Sequence, residues 1–466
     1  MIIMKNMKKY IGLVLLLCVS TISYAQSTPS TTGYFLEGNL YRNRLNPAFM
    51  GDQGFVSFPV LGNFNVNVSS NVGMANFIYP SKDGKSMVTF LHPDVTTEDF
   101  NSALNDNNSA NLGLDLDIMS AGFFAFGGYN TINIGLHSAF GLNIPRDMFM
   151  FMKDMGHVEY SISNLNVYTR NYVDISIGHS HKVTKDLTVG GRLKVLLGLA
   201  YAELLMEQMD VDMNDSRWMI NAKGHAAVAA GLKFASDENG IVDGIDDFKV
   251  GLNGIGFGLD LGATYDFSNI LTKGLIVSAS VNDISFMNWK NVAKAGINPE
   301  APYVFDGFEA LGVGENTEDG TTVNDQLDQI GEDLNDFFAL KDMGVANKGE
   351  MLSATLNVGV EYKMPFYNKM SIGALFSNRF DKIAPYTKGS LMLNISPVKV
   401  LDFALSGSAS TYGWGWGALL NLHCTGFNLF VGADSFMGKV SKQYIPLGRT
   451  NTSLTFGVNF PFGQRR

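Results

Sequence analysis

The chain has 466 residues, a net charge of −10 and only 17% charged side chains, against 50 glycines and 33 phenylalanines. It is undercharged for an ordinary soluble enzyme. No apolar run beyond the N-terminus approaches the roughly 18–20 residues that a membrane-spanning helix needs, so a helical membrane protein is excluded.

Residues 1–25 read as a secretory signal peptide. Lys5, Lys8 and Lys9 form a positive start, Ile11 to Val19 a short apolar core, and Ser23 and Ala25 the small residues before a cut ahead of Gln26. Leu17 is too large for Cys18 to be a lipoprotein site. Loss of three lysines takes the mature chain from −10 to −13, and Cys424 is then its one cysteine, so no intramolecular disulfide is possible. Residues 26–53 are too polar for lipid, yet they carry Tyr34, Phe35, Leu36, Tyr41 and Phe49. A segment of that kind needs a protected surface, and we expect it inside the protein as a plug.

From residue 54 onward the pattern has period two. Ile132, Ile134, Leu136, Phe140, Leu142 and Ile144 alternate with Thr131, Asn133, Gly135, His137, Ala139, Gly141 and Asn143. Residues 187–201 and 254–265 repeat the pattern, and Asp260 falls on the glycine-rich face of the latter. Period two means strands with faces of opposite polarity. A soluble sandwich also alternates, but these strands run to about 10–15 residues where soluble ones average about 5–6. Very short connections, such as Thr184–Asp186 and Tyr367–Lys369, alternate with long polar ones, the plan of outer-membrane barrels. The expected fold is therefore all-β, a transmembrane antiparallel barrel over residues 54–466, with 14 strands, or 16 if residues 200–230 add a hairpin.

Two long tracts read as outer loops. Residues 72–111 include a short helical candidate near Thr97–Leu104. Residues 297–350 hold thirteen acidic and two basic side chains, with an amphipathic helix over 323–340. Its acids match no metal loop. His179 and His181 share one strand face but lack a partner that would complete a metal site. No catalytic trio can be nominated, so the protein is read as a non-enzyme without cofactor, metal or nucleic-acid partner.

Three placements follow from the alternation. Asp174, Arg192 and Lys194 should face the lumen, because their neighbours Val173, Ile175, Leu193 and Val195 are apolar and a charge facing lipid costs about 2–4 kcal/mol at midplane. With Thr184 at a turn tip, Asp174 falls opposite Lys194. Asp260 joins this luminal set, and glycines 254, 256, 258 and 262 should let the plug approach the wall. Trp289, Trp414 and Trp416 should mark the outer interface, where an apolar ring with an N–H is favoured. The last strand, SLTFGVNFPF, shows Leu454, Phe456, Val458, Phe460 and Phe462 on one side, suited to lipid and to recognition by barrel-assembly machinery.

Several motifs carry a resemblance: Arg44-Leu45-Asn46-Pro47-Ala48-Phe49, Gly191-Arg192-Leu193-Lys194, Val277 to Ile284 followed by Trp289, GADSFMGKV (432–440) and the terminal FPFGQRR. With these the chain resembles a family of Bacteroidota outer-membrane barrels, distantly similar to long-chain fatty-acid transporters and to type IX secretion barrels. The resemblance implies a 14-stranded barrel plugged by its N-terminal segment, with Asn46-Pro47-Ala48 at the plug's turn. It also implies passage of a small hydrophobic molecule through a gap in the wall of a Gram-negative outer membrane. The alternative it implies is a non-transporting scaffold for surface or secreted proteins.

Overall fold

The computed structural model describes residues 30–58, 62–154, 159–213, 217–246, 249, 251–297, 301–306, 323–381, 385–434 and 448–463, without the side chains of 323–327 and 335. The signal peptide, its cut before Gln26 and residues 435–440 of GADSFMGKV lie outside them.

Extended backbone with alternating side chains makes a two-faced wall. Its strands are β1, split into Gly54–Ser57 and Asn63–Ser70, β2 (Asn107–Ala125), β3 (Gly128–Pro145), β4 (Tyr160–Lys182) and β5 (Leu187–Met213). Next come β6 (Trp218–Ala229 with Gly254–Asp266), β7 (Leu275–Ile297) and β8 (Lys341–Met351 with Ala354–Lys363). The ring continues through β9 (Met370–Phe380), β10 (Tyr386–Val398), β11 (Leu401–Ser410), β12 (Gly413–Cys424), β13 (Phe427–Asp434) and β14 (Thr450–Phe462). Each pairs antiparallel with the next, and β14 returns to β1, with Phe460 opposite Val56 and Phe456 opposite Phe64. The result is a closed barrel of 14 strands, which leaves no unpaired edge.

Residues 200–230 do not add a hairpin to the ring. Ala229 lies opposite Tyr201 and Gly254 opposite Gly198, so the two segments follow one another along β5 and occupy a single place in the wall. The acidic tract also ends earlier than its composition implied. Lys341–Met351 is wall, paired with β7, and the chain steps at Ser353 into the second half of β8. Composition reads charge, not pairing.

The wall is uneven in height. β4 and β5 run 23 and 27 residues, whereas β11 has 10, close to the roughly 9–11 that cross a bilayer. The tall strands project beyond the rest at the long-loop end. There Val211, Ile220, Ala295 and Ile297 pack with Leu334 of α3 (Val323–Phe337) and with Val242. On α3, Asp328, Glu332, Asp333 and Asp336 are exposed. In the first long loop, α1 (Thr97–Ala103) is capped by Thr96, whose Oγ1 accepts from the Asp99 N–H at 3.1 Å. It buries Phe100 against Met150 of α2 (Arg146–Lys153).

The two wall faces differ as alternation requires. Ile177, Leu193, Phe257, Leu391, Val431 and Leu454 are exposed outside, while Asn65, Asp174, Asn357, Ser406 and Asn459 are buried inside. β14 shows the rule along one strand. Leu454, Phe456 and Phe462 point out, and Ser453, Thr455, Gly457 and Asn459 point in. Among the described residues no helix is long and apolar enough to cross a membrane.

Candidate functional site

Residues 30–53 pack against inward-facing residues of the wall. Their local folding follows from a few side chains. Asn39 Oδ1 accepts from the Tyr41 N–H at 3.1 Å and starts a 3₁₀ turn over Leu40–Arg44. Asn46 Oδ1 accepts from the Ala48 N–H at 2.9 Å, closing a turn around Pro47.

Three anchors fix this segment to the wall. At its start, Asp434 accepts from Ser30 Oγ (2.8 Å), the Thr31 N–H (2.6 Å) and the Thr32 N–H (3.2 Å), and also from Lys388 Nζ at 3.1 Å. In the middle, Arg44 Nη1 lies 2.5 Å from Asp117 Oδ1, and Arg192 Nη2 donates to the Asn43 carbonyl at 3.1 Å. At the turn, the Leu45 carbonyl accepts from Ser280 Oγ and Asn282 Nδ2, both at 2.7 Å. Asn46 Nδ2 donates to the carbonyls of Ala279 (3.3 Å) and Ala263 (3.4 Å).

Close approach here depends on two glycines. A Cβ on Gly190 would stand 2.6 Å from the Ala48 nitrogen and overlap Pro47, and one on Gly262 would stand 2.9 Å from Pro47 Cδ and overlap Asn46. Of the four glycines expected to admit the segment, only Gly262 meets it. Gly254 and Gly256 make room for Trp289 and Met287, and Gly258 for Lys194 and Ser285.

Aromatic contacts complete the seat. Tyr34 meets Phe35 and Phe49 edge-on at 4.8 and 5.0 Å, and the group packs with Leu45, Leu375 and Met392. Tyr41 packs with Phe55, Tyr129 and Phe430. Apolar rings thus run along the segment, while hydrogen bonds hold its backbone.

Above the segment lies a cavity of about 100 Å³. Asp115, His137, Asp174, Arg192, Lys194, Asp283 and Arg379 line it, with Tyr172 and Ser353. These charges have partners in or beside the cavity, Arg379 lying 3.8 Å from Asp381. His137 bridges Asp115 (Nδ1, 2.7 Å) and Asp174 (Nε2, 2.7 Å). Asp260, fully buried, lies 3.3 Å from Arg192 and 2.8 Å from Lys194, and Lys194 also reaches Asp283 at 2.5 Å. Next to this chamber Tyr172, Leu196, Tyr201, Met287, Trp289 and Leu352 form an apolar cluster of buried side chains.

The luminal residues named from sequence are therefore together, with one change of register. Asp174 lies opposite Leu196, and Lys194 opposite Ser176, because the β4–β5 turn spans Val183–Asp186 rather than centring on Thr184. Sequence reasoning did not nominate His137, Asp115 or Asp117, although all three sit on polar faces of strands already marked by alternation. Arg44 stands out in the sequence only as the first residue of the Arg44–Phe49 motif.

The tryptophans divide. Trp414 and Trp416 are 81% and 65% exposed on the outer face. Trp289 is a correction: it is fully buried inside, stacked on Tyr201 at 5.3 Å, and its Nε1 donates to Glu350 Oε1 at 2.8 Å. Asp283 explains the reversal. It is an extra residue with φ of 60° in β7, opposite Asp260, and it swaps the faces. Ser278, Ser280 and Asn282 point inward before it; Ser285, Met287 and Trp289 do so after it. His179 Nδ1 lies 2.9 Å from Asn130 Oδ1, and His179 and His181 stack at 6.0 Å with exposed side chains.

The chain belongs to DUF5723, a family of unknown function whose model matches residues 47–434. No curated protein matches it in sequence. Among solved structures it is similar to the Pseudomonas putida toluene transporter TodX, at 10% identity over 95% of this chain and 96% of that one, TM-score 0.40. It is also similar to the Ralstonia pickettii toluene transporter TbuX (9%, 95% of each chain, TM-score 0.43). A third is the translocator domain of the Neisseria meningitidis autotransporter NalP (8%, 86% and 88%, TM-score 0.30).

Proposed function

We propose that this protein is an outer-membrane barrel, plugged by its N-terminal segment, that lets a small hydrophobic molecule across while resisting ions and polar solutes. The observation that carries the reading is the seat of residues 30–53. Their backbone is tied to the wall at Asp434, Asp117 and Ser280, and their rings form an apolar seam with Leu375, Met392 and Phe430. A hydrated ion gains nothing from such a seam, whereas an apolar molecule can exchange contacts along it. The polar chamber above, with charges already paired, gives an ion no unshared partner.

The exterior supports the membrane placement, since a closed sheet with an apolar outer face is the form a strand protein takes in lipid. On this reading Trp414 and Trp416 sit at the outer interface, the apolar row of β14 serves barrel assembly, and the protein is a conduit rather than an enzyme. A second reading, a surface scaffold, is favoured by one feature: the tall β4–β7 sheet carries a covering layer whose helix α3 exposes a row of acids. Liposomes holding the purified chain and challenged with a hydrophobic reporter test the two. Faster entry than in protein-free liposomes supports the conduit, and unchanged entry together with absent conductance supports the scaffold.

A further inference from the structure

At the short-turn end, the hairpin tips are apolar where turns are ordinarily polar. Phe126 is 88% exposed, Leu271 70%, Phe366 77% and Val400 54%. Phe462 continues the outward row of Leu454 and Phe456, whereas at another tip Val183 follows Ile175 and Ile177 only after the exposed His179 and His181. On β14 the apolar exterior therefore runs to the strand end, and on β4 two histidines separate the wall from the apolar tip.

Charge at this end is opposite to that of the molecule. The turns and their flanking residues hold Lys182, Lys185, Lys273, Lys363, Lys369 and Lys399 against Asp186 and Asp266, in a chain of net charge −10. All but Lys363, which pairs with Glu37, are exposed. A lysine beside an exposed apolar tip can lay its stem along the lipid and keep its ammonium at the level of the phosphates. A soluble partner would meet tips spread around a circumference, whereas a lipid leaflet touches each of them.

We propose that this end is a basic, apolar collar that inserts its turn tips into a phospholipid leaflet and binds anionic headgroups through Lys185, Lys273, Lys369 and Lys399. The proposal rests on the barrel being a membrane protein, and it adds which end meets phospholipid and which lipid chemistry it prefers.

The test uses the full chain in vesicles with Cys424→Ser and one new cysteine carrying a fluorophore, either Phe366→Cys at a tip or Leu391→Cys on the mid-wall exterior. Lipids brominated on the acyl chain should quench both. Brominated phosphatidylglycerol should associate at the tip about fivefold more strongly than phosphatidylcholine, as roughly one lysine contact per lipid gives, and Lys369→Gln with Lys399→Gln should bring the ratio near one. If the mid-wall label is quenched while the tip label is reached by aqueous iodide, the collar is overturned and the barrel reading stands, leaving the end to a soluble partner. An unquenched mid-wall label would overturn the membrane reading itself. A parent ratio near one would reject the anionic preference.

Discussion

Arg44 meets Asp117 where the wall is irregular on both strands. The guanidinium lies 2.5 Å from the carboxylate. Asp117 sits at a register shift in β2, between Asp117 and Met119, and faces the interruption of β1 between Ser57 and Asn63. A bulge re-aims side chains. Asp117 keeps the inward parity of Asn111, Gly113 and Asp115, and the faces exchange only after it, at the place where the neighbouring strand is broken.

Removing the cation should thus do more than remove a contact. Breaking one side of a buried ion pair costs about 3–5 kcal/mol, because the partner charge is stranded. Arg44→Ala is expected to lower the unfolding temperature and to admit ions, read as new conductance in planar bilayers. Arg44→Asp combined with Asp117→Arg should recover part of both losses.

The two glycines under the Asn46–Ala48 turn give an independent handle. Gly190→Leu and Gly262→Leu place a side chain where Pro47 and Asn46 now lie. The wall pairing of both positions is regular, so the barrel should still form and run as a compact, heat-modifiable band on gels. The segment should be displaced, and protease should cut within residues 31–49, most of which are buried in the parent. Continued protection would show that the turn does not seat there.

Asp434 ties the other end of the segment. It accepts from Ser30, Thr31 and Thr32 and pairs with Lys388, all with little solvent. Asp434→Ala should free that end and leave Lys388 without its carboxylate, for a loss of about 3–5 kcal/mol. Lys388→Met in the same chain should restore a part of the stability but none of the anchoring, measured by accessibility of a cysteine at Thr32.

How much of this was legible in the sequence turns on bulges. Alternation alone sorted Leu454 from Ser453 and Ile175 from Asp174, since strand parity is strict and the solvent on each face differs. It placed Trp414 and Trp416 outside correctly because the pairing of β11 with β12 is regular throughout. It failed at Trp289 because one residue, Asp283, resets parity, and no composition signal marks an aspartate that adopts positive φ. Lys194 missed its expected partner because turn length shifts register two residues at a time. The Arg44–Asp117 and Thr31–Asp434 contacts join residues 73 and 403 positions apart, and period-two reasoning carries no information about what lies across a lumen.

Tryptophan depth separates the corrected residue from the others. In single-tryptophan variants, Trp414 and Trp416 should be quenched by brominated lipid, while Trp289, stacked inside on Tyr201, should not. Trp289→Ala should cost about 3–5 kcal/mol through the cavity it leaves, with no change in lipid quenching at Trp416. Quenching of Trp289 would return it to the outer face.

The plug itself is tested most directly by single-channel conductance of the purified chain, before and after removal of residues 27–50. The intact barrel should hold a planar bilayer near its bare leak, and the shortened one should open a steady ion path through a polar lumen lined by Asp174, Arg192 and Asn357. Large steady conductance from the intact chain would contradict a closed lumen, and so would an equally silent, folded barrel after the segment is gone.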